Sequence, residues 1–202
     1  MEIDNSKAKL LLHACCAPCL TAVEEKLRDN FDLKIYWYNP NIEPKAEHDK
    51  RLETLKYFLS QLHSEKESNF RDRDKITPFY SEDNYLAFFE YDYEKENAKW
   101  RKFISGLKND TEGGKRCQKC IEFRLQETLL RSSMKKYDFF TTTLSVSPHK
   151  DSAAINQIGS TISPEKYLKA DFKKNNGYQR SIELSKKYNL YRQSYCGCSF
   201  SK

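Results

Sequence analysis

Seven cysteines are the residues of this chain best suited to chemistry, and none of them stands alone. The first, second and third cysteine groups are Cys15, Cys16 and Cys19; Cys117 and Cys120; and Cys196 and Cys198. Isolated structural cysteines would not be expected to cluster in this way. We therefore expect the fold to bring the three groups together to hold metal.

The number of thiols indicates more than one metal site. A structural zinc or a [4Fe–4S] cluster takes at most four thiolates, and side chains of adjacent residues diverge. Cys15 and Cys16 are therefore expected to face different metals. The second group has the spacing of a chelating pair, and Gly197 lets the backbone of the third group approach closely. Two neighbouring metal sites, or one cluster plus an extra iron, account best for these features.

Simpler interpretations explain fewer of the cysteines. A structural zinc takes at most four thiolates, so a zinc alone leaves three of the seven cysteines unexplained. A redox pair made of Cys16 and Cys19 leaves five thiols unexplained. Disulfide staples fit poorly with an odd number of cysteines at low density. His13 is more typical of a core residue at a strand end than of a ligand.

The composition indicates one soluble domain. A length of 202 residues is enough for a sizeable core, and 12 Phe with 13 Tyr argue against disorder. The net charge of 35 − 29 = +6 is compatible with a polyanionic partner. No apolar run approaches the ~20 residues that span a membrane, and the acidic start is unlike a secretion signal. We predict a cytoplasmic protein.

The periodicity of apolar residues predicts parallel α/β winding at the start of the chain. A buried strand over residues 9–12 is followed by a helix over 20–27, a strand over 33–37 and a helix over 52–62 with a charged outer face. The loop after the first strand holds thiols where glycines would cradle phosphate. ATP-dependent chemistry is therefore not expected.

The remainder of the chain is predicted to add helices to this sheet. Residues 63–79 are charged and typical of a connection, and a helix over 82–89 follows. Residues 139–144, rich in β-branched and aromatic side chains, predict another buried strand. We expect one α/β domain over residues 1–202, with a helical segment at about 63–115.

Five motifs in order resemble those of the QueH family of epoxyqueuosine reductases, over roughly residues 9–199. They are His13-Ala-Cys-Cys-Ala-Pro-Cys19, Tyr38-Asn-Pro-Asn-Ile42, Arg116-Cys-x-x-Cys120 with Arg124, Thr141-Thr-Thr-Leu-Ser-Val-Ser-Pro148 and Tyr195-Cys-Gly-Cys-Ser199. Any one of them would be weak, but the ordered set is highly specific. The resemblance implies a Rossmann-like parallel sheet, similar to the adenine-nucleotide alpha-hydrolase (PP-loop) architecture, with helical additions.

The same resemblance implies the last step of queuosine synthesis. The epoxide of epoxyqueuosine, at the wobble position of certain tRNAs, is reduced to the alkene with loss of water. Family members carry an iron–sulfur cluster, here expected to be [4Fe–4S], beside a separate mononuclear iron, and they use no cobalamin. An external electron donor such as ferredoxin or flavodoxin is expected. Some relatives have an aspartate at the position of Cys19, so ligation of the second iron can differ in detail.

Residue roles follow from the motifs and from the predicted strand ends. All seven cysteines are expected to bind metal, with Cys15, Cys19 and Cys198 catalytic. The preferred cluster ligands are Cys16, Cys117, Cys120 and either Cys196 or Cys198, and the remaining thiols would serve the second iron. Strand-end residues expected to bind substrate are Asn39, Asn41, Thr142, Thr143 and Ser147. Basic residues expected to contact tRNA phosphates are Lys150, Lys173, Arg180 and Arg192.

Two other function classes remain open at this stage. One is a tRNA-modifying nucleotidyl- or sulfur-transferase on a similar fold, which would need the missing phosphate loop. The other is an RNA-binding module stapled by zinc, without catalytic activity. The metal content of the purified protein distinguishes this zinc-stapled module from a reductase.

Overall fold

The computed structural model describes residues 7–69 and 91–201. The predicted helix over 82–89 and most of the predicted connection lie outside these ranges. The elements are β1 (Lys9–Ala14), α1 (Ala17–Leu27), β2 (Asp32–Trp37), α2 (Lys45–Asn69), α3 (Tyr93–Phe103), α4 (Lys115–Met134), β3 (Phe139–Thr142), α5 (Ser152–Ile162) and α6 (Gly177–Lys187). The predicted α/β class, a parallel sheet with added helices, is confirmed.

The strands that the structure describes form a parallel sheet in the order β2-β1-β3. Strand β1 is central, and its three consecutive leucines are completely buried. Such an unbroken apolar run is typical of a parallel strand that is covered on both faces. The carboxyl ends of the three strands meet at one edge, which we call the carboxyl edge, and Cys15 follows β1 there.

Alternate residues of β1 face two separate cores, because successive strand side chains point to opposite faces. Leu10 and Leu12 pack in a cluster with residues of α1 and α2, including Leu20 and Phe58. Leu11 packs on the other face in a cluster that contains residues of α4 and α5. Helices on both faces thus hold the strand rigidly, so its carboxyl end is a fixed platform for the thiols that follow.

Two predictions about the elements are wrong. Helix α2 continues through residues 63–69, which were predicted to be a connection. The predicted strand over 139–144 ends at Thr142, and a turn of 3-10 helix follows over Thr143–Val146. The Thr142 hydroxyl accepts a hydrogen bond from the backbone N–H of Leu144 (3.2 Å), which turns the chain out of the sheet.

The single-domain organisation stays a prediction. Among the described residues, no helix has both the length and the apolar character needed to cross a membrane.

Candidate metal centre

The first cysteine group converges directly after β1. The sulfur atoms of Cys15, Cys16 and Cys19 all lie within 4.8 Å of one another, and those of Cys15 and Cys16 are 3.9 Å apart. Two thiolates on one tetrahedral ion, at metal–sulfur distances of ~2.3 Å, would lie about 3.8 Å apart. These three thiols therefore fit a metal site, and all seven cysteines are free to bind one.

The expectation that Cys15 and Cys16 point apart is wrong. Cys16 is the N-cap of α1, with an extended backbone (φ −171°, ψ 161°). This conformation at the strand-to-helix corner turns its sulfur toward that of Cys15. Divergent side chains are therefore not a reason to assign Cys15 and Cys16 to different metals.

Cys15 is the thiol of this group that ionises most readily. Donation from the thiols of Cys16 and Cys19 holds the pKa of Cys15 well below its usual range. The Thr143 hydroxyl also donates to the Cys15 sulfur (3.3 Å) and accepts from the Cys15 N–H (3.1 Å). The neighbouring Cys15 raises the pKa of Cys16 to about 12 and also raises that of Cys19. A metal would replace these shared protons.

The second cysteine group lies in the first turns of α4, which begins after Gly114. Cys117 and Cys120 are three residues apart and so share one side of the helix. The backbone N–H of Gly113 donates to the Cys117 sulfur (3.2 Å). Cys120 is buried in an apolar cluster with Trp100, Ile104 and Cys198, and burial raises its pKa to about 11. This cluster joins the second group to the third.

The third group lies in a tight loop whose shape requires glycine. Gly197 has a φ of +121°, and a Cβ there would lie 3.0 Å from both Arg51 Nη1 and Ile42 Cγ1. The Gly197 carbonyl accepts a hydrogen bond from the Glu43 N–H (2.7 Å). Arg51 donates to the carbonyls of Cys196 (3.1 Å) and Tyr195 (3.3 Å). The loop is thus fastened to α2 and the segment before it.

Two ion pairs hold the loop in this position, and one of them is buried. The guanidinium of Arg51, which is only 2% exposed, donates to Glu47 at 2.6 Å. The carboxylate of Glu43 accepts from Arg101 (2.7 Å) and from the Ser199 N–H (3.3 Å). Sequence reasoning missed these residues because charges on α2 were interpreted as a solvated outer face. The i, i+4 spacing of Glu47 and Arg51 was the available signal.

Two cations lie near cysteines of more than one group. Arg124 is buried, donates to the carbonyl oxygen of Cys120 (3.3 Å) and contacts the side chain of Asn39 (3.4 Å). Burial alone would lower its pKa, but nearby Cys120, Cys196, Cys15 and Cys198 raise it.

Half-buried Lys150 is in a similar position. Burial opposes its charge, but Cys196, Cys15 and Cys19 raise its pKa. Positive charge among several thiols favours their ionised, metal-binding forms.

The residues predicted to bind substrate lie at the carboxyl edge, in different environments. Asn39 donates to the Ala14 carbonyl (2.8 Å), next to the first cysteine group. Thr143 contacts Cys15, whereas the Thr142 hydroxyl is used within the fold. Asn41 is buried, and its Oδ1 has no hydrogen-bond partner within residues 7–69 and 91–201. Ser147 accepts from the His149 N–H in a turn (3.3 Å). Substrate binding by these residues stays a prediction.

The residues predicted to contact tRNA are spread over several elements. The Lys173 ammonium donates to the Lys150 carbonyl (2.7 Å). Arg180 forms an ion pair with Glu25 of α1 at 2.9 Å. The Arg192 guanidinium stacks over the Tyr178 ring at 5.4 Å. Their roles in RNA binding stay predictions.

His13 has the environment of a core residue. It is completely buried, with Nδ1 2.8 Å from the Thr142 hydroxyl and Nε2 3.1 Å from the Tyr38 carbonyl oxygen. Burial lowers its pKa to about 4, so the ring is neutral. Both ring nitrogens are used within the fold, which leaves neither for a metal.

Comparisons with known proteins agree with the motifs. The profile of the family described as "Epoxyqueuosine reductase QueH" matches residues 10–202. Proteins of that name from Streptococcus pyogenes serotype M1 and Staphylococcus epidermidis are 35% and 36% identical to this chain. Each alignment covers 99% of this chain, with 72% and 79% of the relatives. The protein of that name from Thermotoga maritima is 35% identical over 95% of this chain and 89% of its own length.

Proposed function

Because the chain belongs to the epoxyqueuosine reductase QueH family, we propose that it reduces the epoxide of epoxyqueuosine in tRNA to the alkene, giving queuosine. Two C–O bonds break, a C=C bond forms, and two electrons and two protons convert the epoxide oxygen to water. The observation that carries the proposal is the convergence of Cys15, Cys16 and Cys19 at the carboxyl edge. We place the reaction in the cytoplasm, where thiols stay reduced.

We further propose that the seven thiols hold a [4Fe–4S] cluster and one additional iron, without cobalamin. When bound, these groups supply electrons singly and a Lewis acid for the epoxide oxygen. Cys117 and Cys120 are proposed as cluster ligands, and Cys19, with Cys15 and Cys198, as ligands of the additional iron. The proximity of Cys120 to Cys198 in one buried cluster supports a joint centre.

The protein's own charges support this chemistry. Seven thiolates would place a large negative charge inside the fold, and buried Arg124 and half-buried Lys150 oppose it. Thr143 and Asn39, beside Cys15 and Ala14, are proposed to orient the modified nucleoside. The position of Lys150 near the thiols supports a contact to the part of the tRNA closest to that nucleoside, with Lys173, Arg180 and Arg192 as contacts further out.

The activity is tested by measuring the conversion of epoxyqueuosine in tRNA to queuosine. Anaerobically reconstituted protein is incubated with dithionite and tRNA bearing epoxyqueuosine, and the digested nucleosides are analysed. We expect queuosine to form, and Cys120→Ser to abolish its formation. Full-length protein that holds its metals and leaves the epoxide unchanged would refute the proposal. When the protein is active with dithionite, we expect a ferredoxin or flavodoxin with its reductase to replace dithionite as electron donor.

The test of the metal centre is the iron content of anaerobically purified protein. We expect brown protein with more than four irons per chain. A colourless protein with stoichiometric zinc would overturn the cluster and favour a zinc-stapled RNA-binding module.

The assignment of Cys19 to the additional iron has its own test. We expect Cys19→Ala to lose that iron but to keep the visible absorption of the cluster, whereas Cys117→Ala loses the cluster. If Cys19→Ala removes the cluster spectrum as well, the assignment is wrong.

A further inference from the structure

Trp100 carries an unsatisfied polar group in the protein interior. The side chain lies on α3 and is completely buried, and among the described residues its indole N–H has no hydrogen-bond acceptor. The indole of Trp37, by contrast, donates to His48 Nε2 at 3.0 Å. A buried donor without a partner costs about 1–3 kcal/mol and is rare in native proteins. The N–H of Trp100 therefore needs a physical explanation.

The surroundings of Trp100 offer sulfur as its acceptor. Trp100 packs in one buried cluster with Ile104, Cys120 and Cys198, where the side chains other than the indole are hydrocarbon or sulfur. The indole lies next to the Cys120 thiol, with which it interacts in this cluster. A protonated thiol is only a weak acceptor, whereas a thiolate is a strong one. An ionised Cys120 would therefore be a far stronger acceptor for this N–H than the thiol is.

We propose that the indole N–H of Trp100 donates a hydrogen bond to the sulfur of Cys120 when that sulfur is a metal-bound thiolate. The inference rests on the proposed function, in which Cys120 is a cluster ligand. Trp100 is then a positioning residue that acts through Cys120. Hydrogen bonds to the sulfurs are among the factors that set cluster potentials. Because the donor offsets negative charge on sulfur, it stabilises the reduced state and raises the midpoint potential.

The packing of α3 fixes the position of the indole. The rings of Trp100 and Phe200 have centroids 6.3 Å apart. One turn of helix away, Asn97 donates to Glu43 Oε1 (2.9 Å) and to the Pro40 carbonyl (2.7 Å). Helix α3 is therefore anchored to the same carboxylate that supports the third cysteine group. This anchoring keeps the donor beside Cys120.

The experiment compares Trp100→Phe with Trp37→Phe, each of which removes one buried indole N–H. Both variants are reconstituted, their iron is counted, and the midpoint potential is measured by EPR-monitored titration. Resonance Raman spectra report the iron–thiolate stretch. We expect Trp100→Phe to keep the cluster, with a more negative potential and a higher-frequency stretch. Trp37→Phe should leave both unchanged, because its N–H serves His48.

A second substitution removes the N–H with little change of shape. Incorporation of 3-benzothienylalanine at position 100 replaces the N–H by sulfur in the same bicyclic ring. This protein therefore tests the hydrogen bond even if Trp100→Phe does not fold. Unchanged potential and stretch in this protein would overturn the inference and leave the reductase assignment standing. Wild-type protein that binds no iron–sulfur cluster would overturn both.

Discussion

Replacement of Thr142 by valine separates a structural role from substrate binding. Thr142 ends β3 and is 1% exposed. The carbonyl of Tyr38 can only accept, so His13 carries its proton on Nε2, and its Nδ1 then accepts from the Thr142 hydroxyl. The same hydroxyl accepts from the Leu144 N–H. Because both bonds lie within the fold, we expect the main effect of Thr142→Val on stability.

The expected magnitude follows from these two hydrogen bonds. Valine has nearly the shape of threonine, so the substitution opens little cavity. It leaves His13 Nδ1 and the Leu144 N–H without their partner in a buried region. A lost buried hydrogen bond costs about 1 kcal/mol net, and an unsatisfied partner costs about 1–3 kcal/mol. We therefore expect the free energy of unfolding to fall by about 2–4 kcal/mol.

The assay is urea unfolding of the reduced, metal-free protein, followed by far-UV circular dichroism. The matched control is Thr161→Val on α5, where the threonine is exposed. The control is expected to change stability by no more than ~0.5 kcal/mol. If Thr142→Val is as stable as the control, the hydrogen-bond reasoning is wrong. A normal stability combined with a raised KM would instead support the predicted contact with substrate.

Three further predictions concern pH, packing and the third cysteine group. Burial lowers the pKa of His48 below its usual 6.5, so the unfolded chain takes up a proton at higher pH than the folded protein does. The free energy of unfolding should therefore fall as the pH drops through about 6.5. Urea midpoints at pH 7.5 and 5.5 measure this loss, which should be smaller in His48→Gln. In Gly159→Ala the new Cβ would lie 2.4 Å from ring carbons of Tyr167, so we expect a loss of ~1–3 kcal/mol, and an unchanged Tm would contradict this clash. Arg51→Met should lower the iron bound per chain, because Arg51 supports the loop of the third cysteine group. Arg51→Lys should bind an intermediate amount, and Glu53→Gln, at an exposed position, should bind as much as the wild type. Equal iron content in all three variants would argue against this support.

The sequence predicted the sheet better than it predicted the ends of its elements. The leucine run of β1 and the periodic helix after it are local signals, and the structure confirms both. Residues 63–69 contain Glu and Lys, which are good helix formers, so their lack of apolar side chains did not exclude a helix. The end of β3 depends on the Thr142 hydroxyl cap. That cap is a side-chain hydrogen bond that an apolar pattern does not reveal.

The candidate site was predictable only where its residues are close in the sequence. The grouping of Cys15, Cys16 and Cys19 is visible in the sequence, and so is a strand that precedes it. The fastening of the third group by Arg51 joins residues 145 positions apart, and the orphaned N–H of Trp100 depends on tertiary packing. Such contacts have no local signal, so they emerge only once the chain is folded.

The place of the thiols at the carboxyl edge has an electrostatic reason. In parallel α/β folds a helix N-terminus at this edge stabilises anionic phosphate with its free N–H groups. Here Cys16 is the N-cap of α1, and Pro18 in the first turn removes one of those N–H groups. The same positive end of a helix also stabilises thiolates, so anionic metal ligands can occupy the position that an anionic ligand would take elsewhere. Arg124 and Lys150 add to this effect, because their positive charges lie near the thiols that follow β1.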